Sequence, residues 1–136
     1  RRLRIALEGI ENSLRSAMSE ERNAPSDLTI EHVMPQKWHD NWDLLVNNEE
    51  DRTEAVIYRE RVLQTLGNLT LINGNLNSSV SNGPWVEKKN ALEEHSVLFL
   101  NRNLERFSAN DNWDESSINK RGLSLADRFC LYWPRL

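Results

Sequence analysis

The stretch from Leu28 to Gln36, Leu-Thr-Ile-Glu-His-Val-Met-Pro-Gln, restricts the fold more than any other in the chain. An apolar, β-leaning run favours a buried strand, and Pro35, three residues after His32, forces the chain out of it. Glu31 and His32 are therefore expected at the end of a strand, where a rigid element presents side chains to solvent. A second short run, Leu69 to Ile72, stops at the turn signal Asn73-Gly74. The two runs predict one small antiparallel hairpin.

Helical spacing accounts for most of the remainder. Leu3, Leu7, Ile10 and Leu14 mark an amphipathic helix over residues 2–18, and Asn23 to Asp27, with Pro25, reads as the loop after it. A polar loop or short turn carries Trp38, His39 and Trp42. Ala55, Tyr58, Val62 and Leu66 predict a helix over residues 48–66, stopped by Gly67 as a C-terminal cap. Residues 75–80 suit one or two helical turns, and Pro84 suits the first position of a helix through Leu92. Val97, Leu100, Leu104 and Phe107 predict another helix. In the last one Asp114 is the N-cap, the stripe runs through Ile118, Leu125 and Phe129, and the end falls near Pro134. The expected class is mainly α with a small β-hairpin.

At 136 residues the chain suits one domain with a real core, and 28% charged residues beside 38% hydrophobic ones exclude a disordered chain. No apolar run approaches the roughly 20 residues that span a bilayer. Cys130 is the only cysteine, which rules out an internal disulfide and a zinc-cysteine cluster and suits a reducing cytoplasm. Helical periodicity starts almost at Arg1, as expected of a C-terminal piece of a longer protein. A net charge of −4 argues against coating nucleic acid through bulk charge, but not against an enzyme with a local basic groove.

Phosphodiester hydrolysis needs a base near neutral pH to take a proton from water, and a divalent cation to neutralise charge on the phosphate and leaving oxygen. His suits the first task, and a carboxylate with an amide oxygen suits Mg²⁺. Glu31-His32, then Asn68, then Asn77 nine positions later resemble the HNH (His-Me finger, ββα-metal) nuclease motif. The wider set includes Ile30 to His32 with Pro35-Gln36, Leu66 to Leu71, and Leu76-Asn77 with Ser81-Asn82 and Lys88. It continues with Trp113 to Glu115, Ile118, Arg121, Leu125-Ala126 and Trp133-Pro134. Together they resemble the C-terminal nuclease domain of GmrSD-type modification-dependent restriction endonucleases and related phage-defence proteins.

That resemblance implies a ββα-metal core over residues 28–92, holding an insertion, with residues 1–27 as a leading helix and loop and 93–136 as C-terminal helices. It implies His32 as the general base and Asn68 as the residue that orients the His32 ring or its hairpin. Asn77 and Glu31 would ligate one Mg²⁺ or Mn²⁺ ion. Lys88, with Lys89 as a substitute, would contact a DNA phosphate, and Asn82, which matches a polar position of the family, is grouped with them as DNA-binding. The implied activity is nicking or cutting of phage or foreign DNA. An N-terminal sensing or nucleotide-hydrolysing domain of the same protein would choose the target.

Each residue also has a plainer role open to it. His32 before a proline fits a structural histidine, Asn68 a turn residue and Asn77 a helix N-cap. Glu31 fits a surface carboxylate, since neighbours on a regular strand point to opposite faces. Lys88 and Lys89 fit a solvated helix face. The five tryptophans fit core packing better than base stacking, and His32, His39 and His95 lack a recognisable zinc spacing. A non-catalytic DNA-binding or interaction module, or an RNase, is the alternative function.

Overall fold

The computed structural model describes residues 2–17, 27–95 and 97–132. The loop expected over residues 23–26 and the terminal Trp133 and Pro134 lie outside them. Five helices surround one two-stranded antiparallel sheet among the described residues: α1 (Arg2–Ala17), β1 (Leu28–His32), α2 (Glu49–Val62), β2 (Leu69–Asn73), α3 (Ser78–Ser81), α4 (Trp85–Glu93) and α5 (Glu115–Tyr132). Short 3-10 turns occupy Leu66–Asn68, Phe99–Asn101 and Leu104–Phe107. No helix among the described residues is long and apolar enough to cross a membrane.

The strands pair in a register that sets Leu28 against Asn73 and His32 against Leu69. β2 is buried on both faces over Leu69 to Ile72, and its alternation divides the core in two. Leu69 and Leu71 join Leu7, Ile10, Leu28, Leu98, Leu100 and Leu125 on one side, where α1 and α5 pack. Ile72 joins Val33, Met34, Trp38, Trp42, Val62, Leu63, Trp85, Leu92, Leu104, Trp113 and Ile118 on the other. Four of the tryptophans are therefore core residues, and Trp85 stacks on Trp113 with ring centroids 5.2 Å apart. Each of Trp38, Trp42 and Trp113 donates its indole N–H to a protein oxygen, as a buried indole requires.

Side chains cap α2 and α5 at their N-termini, the second by the expected Asp114. Asn48 caps α2 by accepting from the Asp51 N–H at 2.8 Å. Asp114 accepts from the Ser117 N–H at 3.0 Å, and Ser117 Oγ accepts from the Asp114 N–H at 3.2 Å, a reciprocal cap at the start of α5.

Two expectations give way. α2 ends at Val62 rather than Leu66, and Gly67 sits inside a 3-10 turn instead of capping the helix. Gly67 is needed there because α5 crosses directly over it: a Cβ would overlap the Ile118 carbonyl and lie 2.7 Å from the Gly122 nitrogen. The helix expected through Val97 to Phe107 is two 3-10 turns separated by Asn103, whose φ of 54° is left-handed and breaks any helix. Leu100 and Leu104 of the expected stripe are buried all the same, but Val97 is exposed and Leu98, outside the stripe, takes its place in the core.

Candidate active site

β1 delivers Glu31 and His32 to its C-terminal end, and the chain beyond is fastened by Asn68. The Val33 N–H donates to the Asn68 carbonyl at 2.8 Å, continuing the ladder one step past the strand. The Asn68 side chain is fully buried and all of its bonds are satisfied by protein. Its Oδ1 accepts from the Met34 N–H at 2.8 Å and from Trp113 Nε1–H at 3.3 Å. Its amide nitrogen donates to the carbonyls of Met34 at 2.8 Å and Leu63 at 3.1 Å. None of these bonds reaches the His32 ring: the side chain holds the backbone that leaves the histidine.

Asn68 is itself held from behind. Arg121 of α5 donates through one nitrogen to the carbonyls of Gly67 at 3.0 Å and Leu69 at 2.7 Å, on either side of it. Burial pushes the Arg121 guanidinium down to about 9, and like-charge repulsion from Arg106 adds to the shift. At neutral pH it stays charged, and three of its five N–H donors go to backbone carbonyls, including that of Leu100.

In front of this frame lies a cleft of about 300 Å³, lined by Glu31, His32, Pro35, Gln36, Lys37, Ser81 and Asn82. Strand alternation alone would send Glu31 and His32 to opposite faces. His32 is the last residue of β1, however, and both side chains border the one cleft. His32 is half-buried, with its Nε2 3.1 Å from Gln64 Oε1. The amide nitrogen of Gln36 stands 3.5 Å from Nδ1 and 3.4 Å from Nε2.

Among the described residues, Glu31 is tied on one oxygen only. Its Oε1 accepts from Ser81 Oγ at 2.7 Å and from Lys88 Nζ at 2.5 Å. Lys88 also donates to the Ser81 carbonyl at 2.6 Å, and its side chain is fully buried. Burial pushes the Lys88 ammonium below the usual lysine value, opposed by the hydrogen bond and charge of Glu31. The ammonium expected on a phosphate is thus bound to a carboxylate inside the protein. Lys89 is half-buried beside it, whereas the exposed Lys37 borders the cleft. Asn82 closes α3, borders the cleft and accepts from Asn41 Nδ2 through its carbonyl at 3.0 Å.

Asn77 is the N-cap of α3, with its Oδ1 accepting from the Val80 N–H at 3.1 Å and from Ser79 Oγ at 2.6 Å. It borders a separate groove with Glu87, Asn90, Glu94 and His95. A hard divalent ion that keeps several waters needs few protein oxygens. Glu31 fits it, because Oε2 accepts no hydrogen bond from the described residues. Asn77 fits only if its oxygen leaves the cap. No group of three or more His, Cys, Asp or Glu side chains among the described residues is arranged to hold a metal. His39 stacks on Trp38 at 4.1 Å, and His95 Nδ1 accepts from the Asn73 N–H at 3.3 Å.

Gln64 and Lys37 emerge only in three dimensions. Gln64 precedes the Gly67-Asn68 pair by a few residues in an otherwise ordinary helix end, and no local pattern marks it.

The family described as GmrSD restriction endonucleases, C-terminal domain, matches residues 1–128. No curated protein and no solved structure matches the chain.

Proposed function

The chain belongs to the family of C-terminal domains of GmrSD restriction endonucleases, and from that premise we propose that it hydrolyses DNA phosphodiester bonds at the cleft beside His32. A restriction endonuclease acts on DNA, so DNA is the substrate. One observation carries the assignment of the site: an imidazole and a carboxylate border the same solvent-facing polar cleft, on a strand end fastened by a buried amide.

His32 takes a proton from water, and the hydroxide attacks phosphorus while the bond to the leaving oxygen breaks. Asn68 keeps the turn after His32 from drifting, which holds the ring at the cleft. Glu31, whose Oε2 accepts no hydrogen bond from the described residues, would hold the divalent ion, Mg²⁺ or Mn²⁺, and Asn77 would join it as second ligand only by leaving its cap and turning from its own groove. Held there, such an ion would supply positive charge against the phosphate and the leaving oxygen. Lys88 keeps Glu31 aimed, and Lys37 and Asn82 at the rim, with Lys89 next to Lys88, are the groups available to a DNA backbone. Choice of target falls to an N-terminal sensing or nucleotide-hydrolysing domain of the same protein, in defence against phage or foreign DNA.

The test is conversion of supercoiled plasmid by the chain with Mg²⁺ or Mn²⁺, alone, with EDTA, and for His32→Ala and Glu31→Gln. Loss of cutting in EDTA and in His32→Ala is expected, with matched RNA cut more slowly. Undiminished cutting by His32→Ala overturns the base assignment. Salt-sensitive DNA binding without any cutting would favour a binding module instead.

A further inference from the structure

We propose that Gln64 sets the tautomer of His32, holding hydrogen on Nε2 so that Nδ1 carries the lone pair that accepts the proton from water. This rests on the nuclease reading of the cleft and names the atom that acts as base. Gln64 Oε1 lies 3.1 Å from His32 Nε2. An amide oxygen only accepts, so that bond exists only while Nε2 bears hydrogen, and a neutral ring then has its lone pair on Nδ1. The Gln36 amide nitrogen, 3.5 Å from Nδ1 and 3.4 Å from Nε2, sits between the two atoms at distances too long to compete.

The pairing is built into the fold rather than left to two surface side chains. The Asn68 amide nitrogen donates both to the Met34 carbonyl, two residues after His32, and to the Leu63 carbonyl, immediately before Gln64. One buried side chain therefore fixes the distance between the segment that carries the ring and the segment that carries its acceptor. Without Gln64 the ring is free to exchange tautomers and to flip, and it presents Nδ1 to water for only part of the time. Gln64 acts through His32 and is a positioning residue.

The experiment records long-range ¹H–¹⁵N correlations of the imidazoles in the ¹⁵N-labelled chain at a pH where the ring is neutral. His32 is identified by the signals missing from His32→Ala. The wild-type ring is expected to show Nε2 protonated and Nδ1 bare. Gln64→Leu, which keeps the length and loses the acceptor, should draw the two nitrogens towards averaged shifts, while Gln64→Glu should keep the wild-type pattern. Gln64 is exposed, so both variants should fold, and their circular dichroism verifies it. On supercoiled plasmid Gln64→Leu should lower kcat about tenfold at unchanged KM, a part of the roughly 10²–10⁴-fold that a positioned base supplies. A wild-type ring protonated on Nδ1, or an unaltered pattern in Gln64→Leu, overturns the proposal. The spectra need no substrate, so a chain that never cleaves refutes the nuclease reading and leaves the tautomer result to stand or fall separately.

Discussion

Asn68→Asp exchanges one amide nitrogen for an oxygen in a fully buried side chain, and the four bonds around it determine the outcome. The accepting side is preserved, so the Met34 N–H and Trp113 Nε1–H keep their partner. On the other side an ionised carboxylate oxygen would face the carbonyls of Met34 and Leu63, now 2.8 and 3.1 Å from a donor. Leaving two buried acceptors unpaired costs about 1–3 kcal/mol each, so about 2–6 kcal/mol in all before oxygen–oxygen repulsion is added. That is a large fraction of the roughly 5–15 kcal/mol that holds a domain together. Protonating the introduced carboxyl restores one donor, so its pKa in the folded state is raised above the ordinary aspartate value of about 3.9. Between that value and the raised one the folded state binds more protons than the unfolded state. Stability therefore falls as pH rises through this window, and the loss is complete above the raised pKa. Urea titrations followed by tryptophan fluorescence at about pH 4.5 and about pH 7.5, each against wild type, should show the larger deficit at the higher pH. Asn68→Ala, with nothing to titrate, should show a deficit independent of pH. A variant as stable as wild type at the higher pH, or a deficit that grows on acidification, would refute the bonding scheme.

Two further pairs of variants probe the frame and the rim. Gly67→Ala puts a Cβ onto the Ile118 carbonyl and should destabilise by about 1–3 kcal/mol or more, whereas Gly122→Ala meets nothing closer than 3.6 Å and should gain about 0.5–1 kcal/mol from helix propensity; thermal melts of both decide it. Lys88→Met leaves Glu31 half-buried without its cation and should cost at most about 3–5 kcal/mol, read from urea midpoints. In anisotropy titrations of duplex DNA against salt, Lys37→Ala should lower the slope by about 0.9, and Lys88→Met should leave it unchanged; a lowered slope in Lys88→Met would mean that its ammonium reaches phosphate after all.

What the sequence makes legible is local. The stripes Leu7, Ile10, Leu14 and Ile118, Leu125, Phe129 lie on helices, and Leu28 to His32 ends where Pro35 requires. Asp114 caps the helix it precedes. What escapes it depends on partners far along the chain. Gly67 resembles a C-cap because the reason for a glycine there, the crossing of α5, lies more than 50 residues away. Val97 to Phe107 has helical spacing, yet the core beneath it needs only buried leucines, and the left-handed Asn103 supplies the break. Lys88 resembles a solvated lysine because its carboxylate partner, Glu31, is 57 positions earlier. Gln64 has no signature at all, since its meaning comes from the ring opposite.

The candidate site is fastened from the core side and open on the solvent side, and this asymmetry has a consequence for how mutations sort. Arg121 brings a buried charge from α5 to the carbonyls that flank Asn68, Asn68 grips the turns beside His32 and Gln64, and Lys88 grips Glu31. Every link in that chain is also a link in the packing, so damage there lowers stability and cleavage together. Gln36, Gln64 and Lys37 carry exposed side chains. Changes there alter ring orientation or DNA contact while the fold persists, because no buried polar group loses its partner. A scan that finds activity and stability falling together at Asn68 and Arg121 but separating at Gln64 and Lys37 would locate the boundary between scaffold and chemistry at the His32 ring itself.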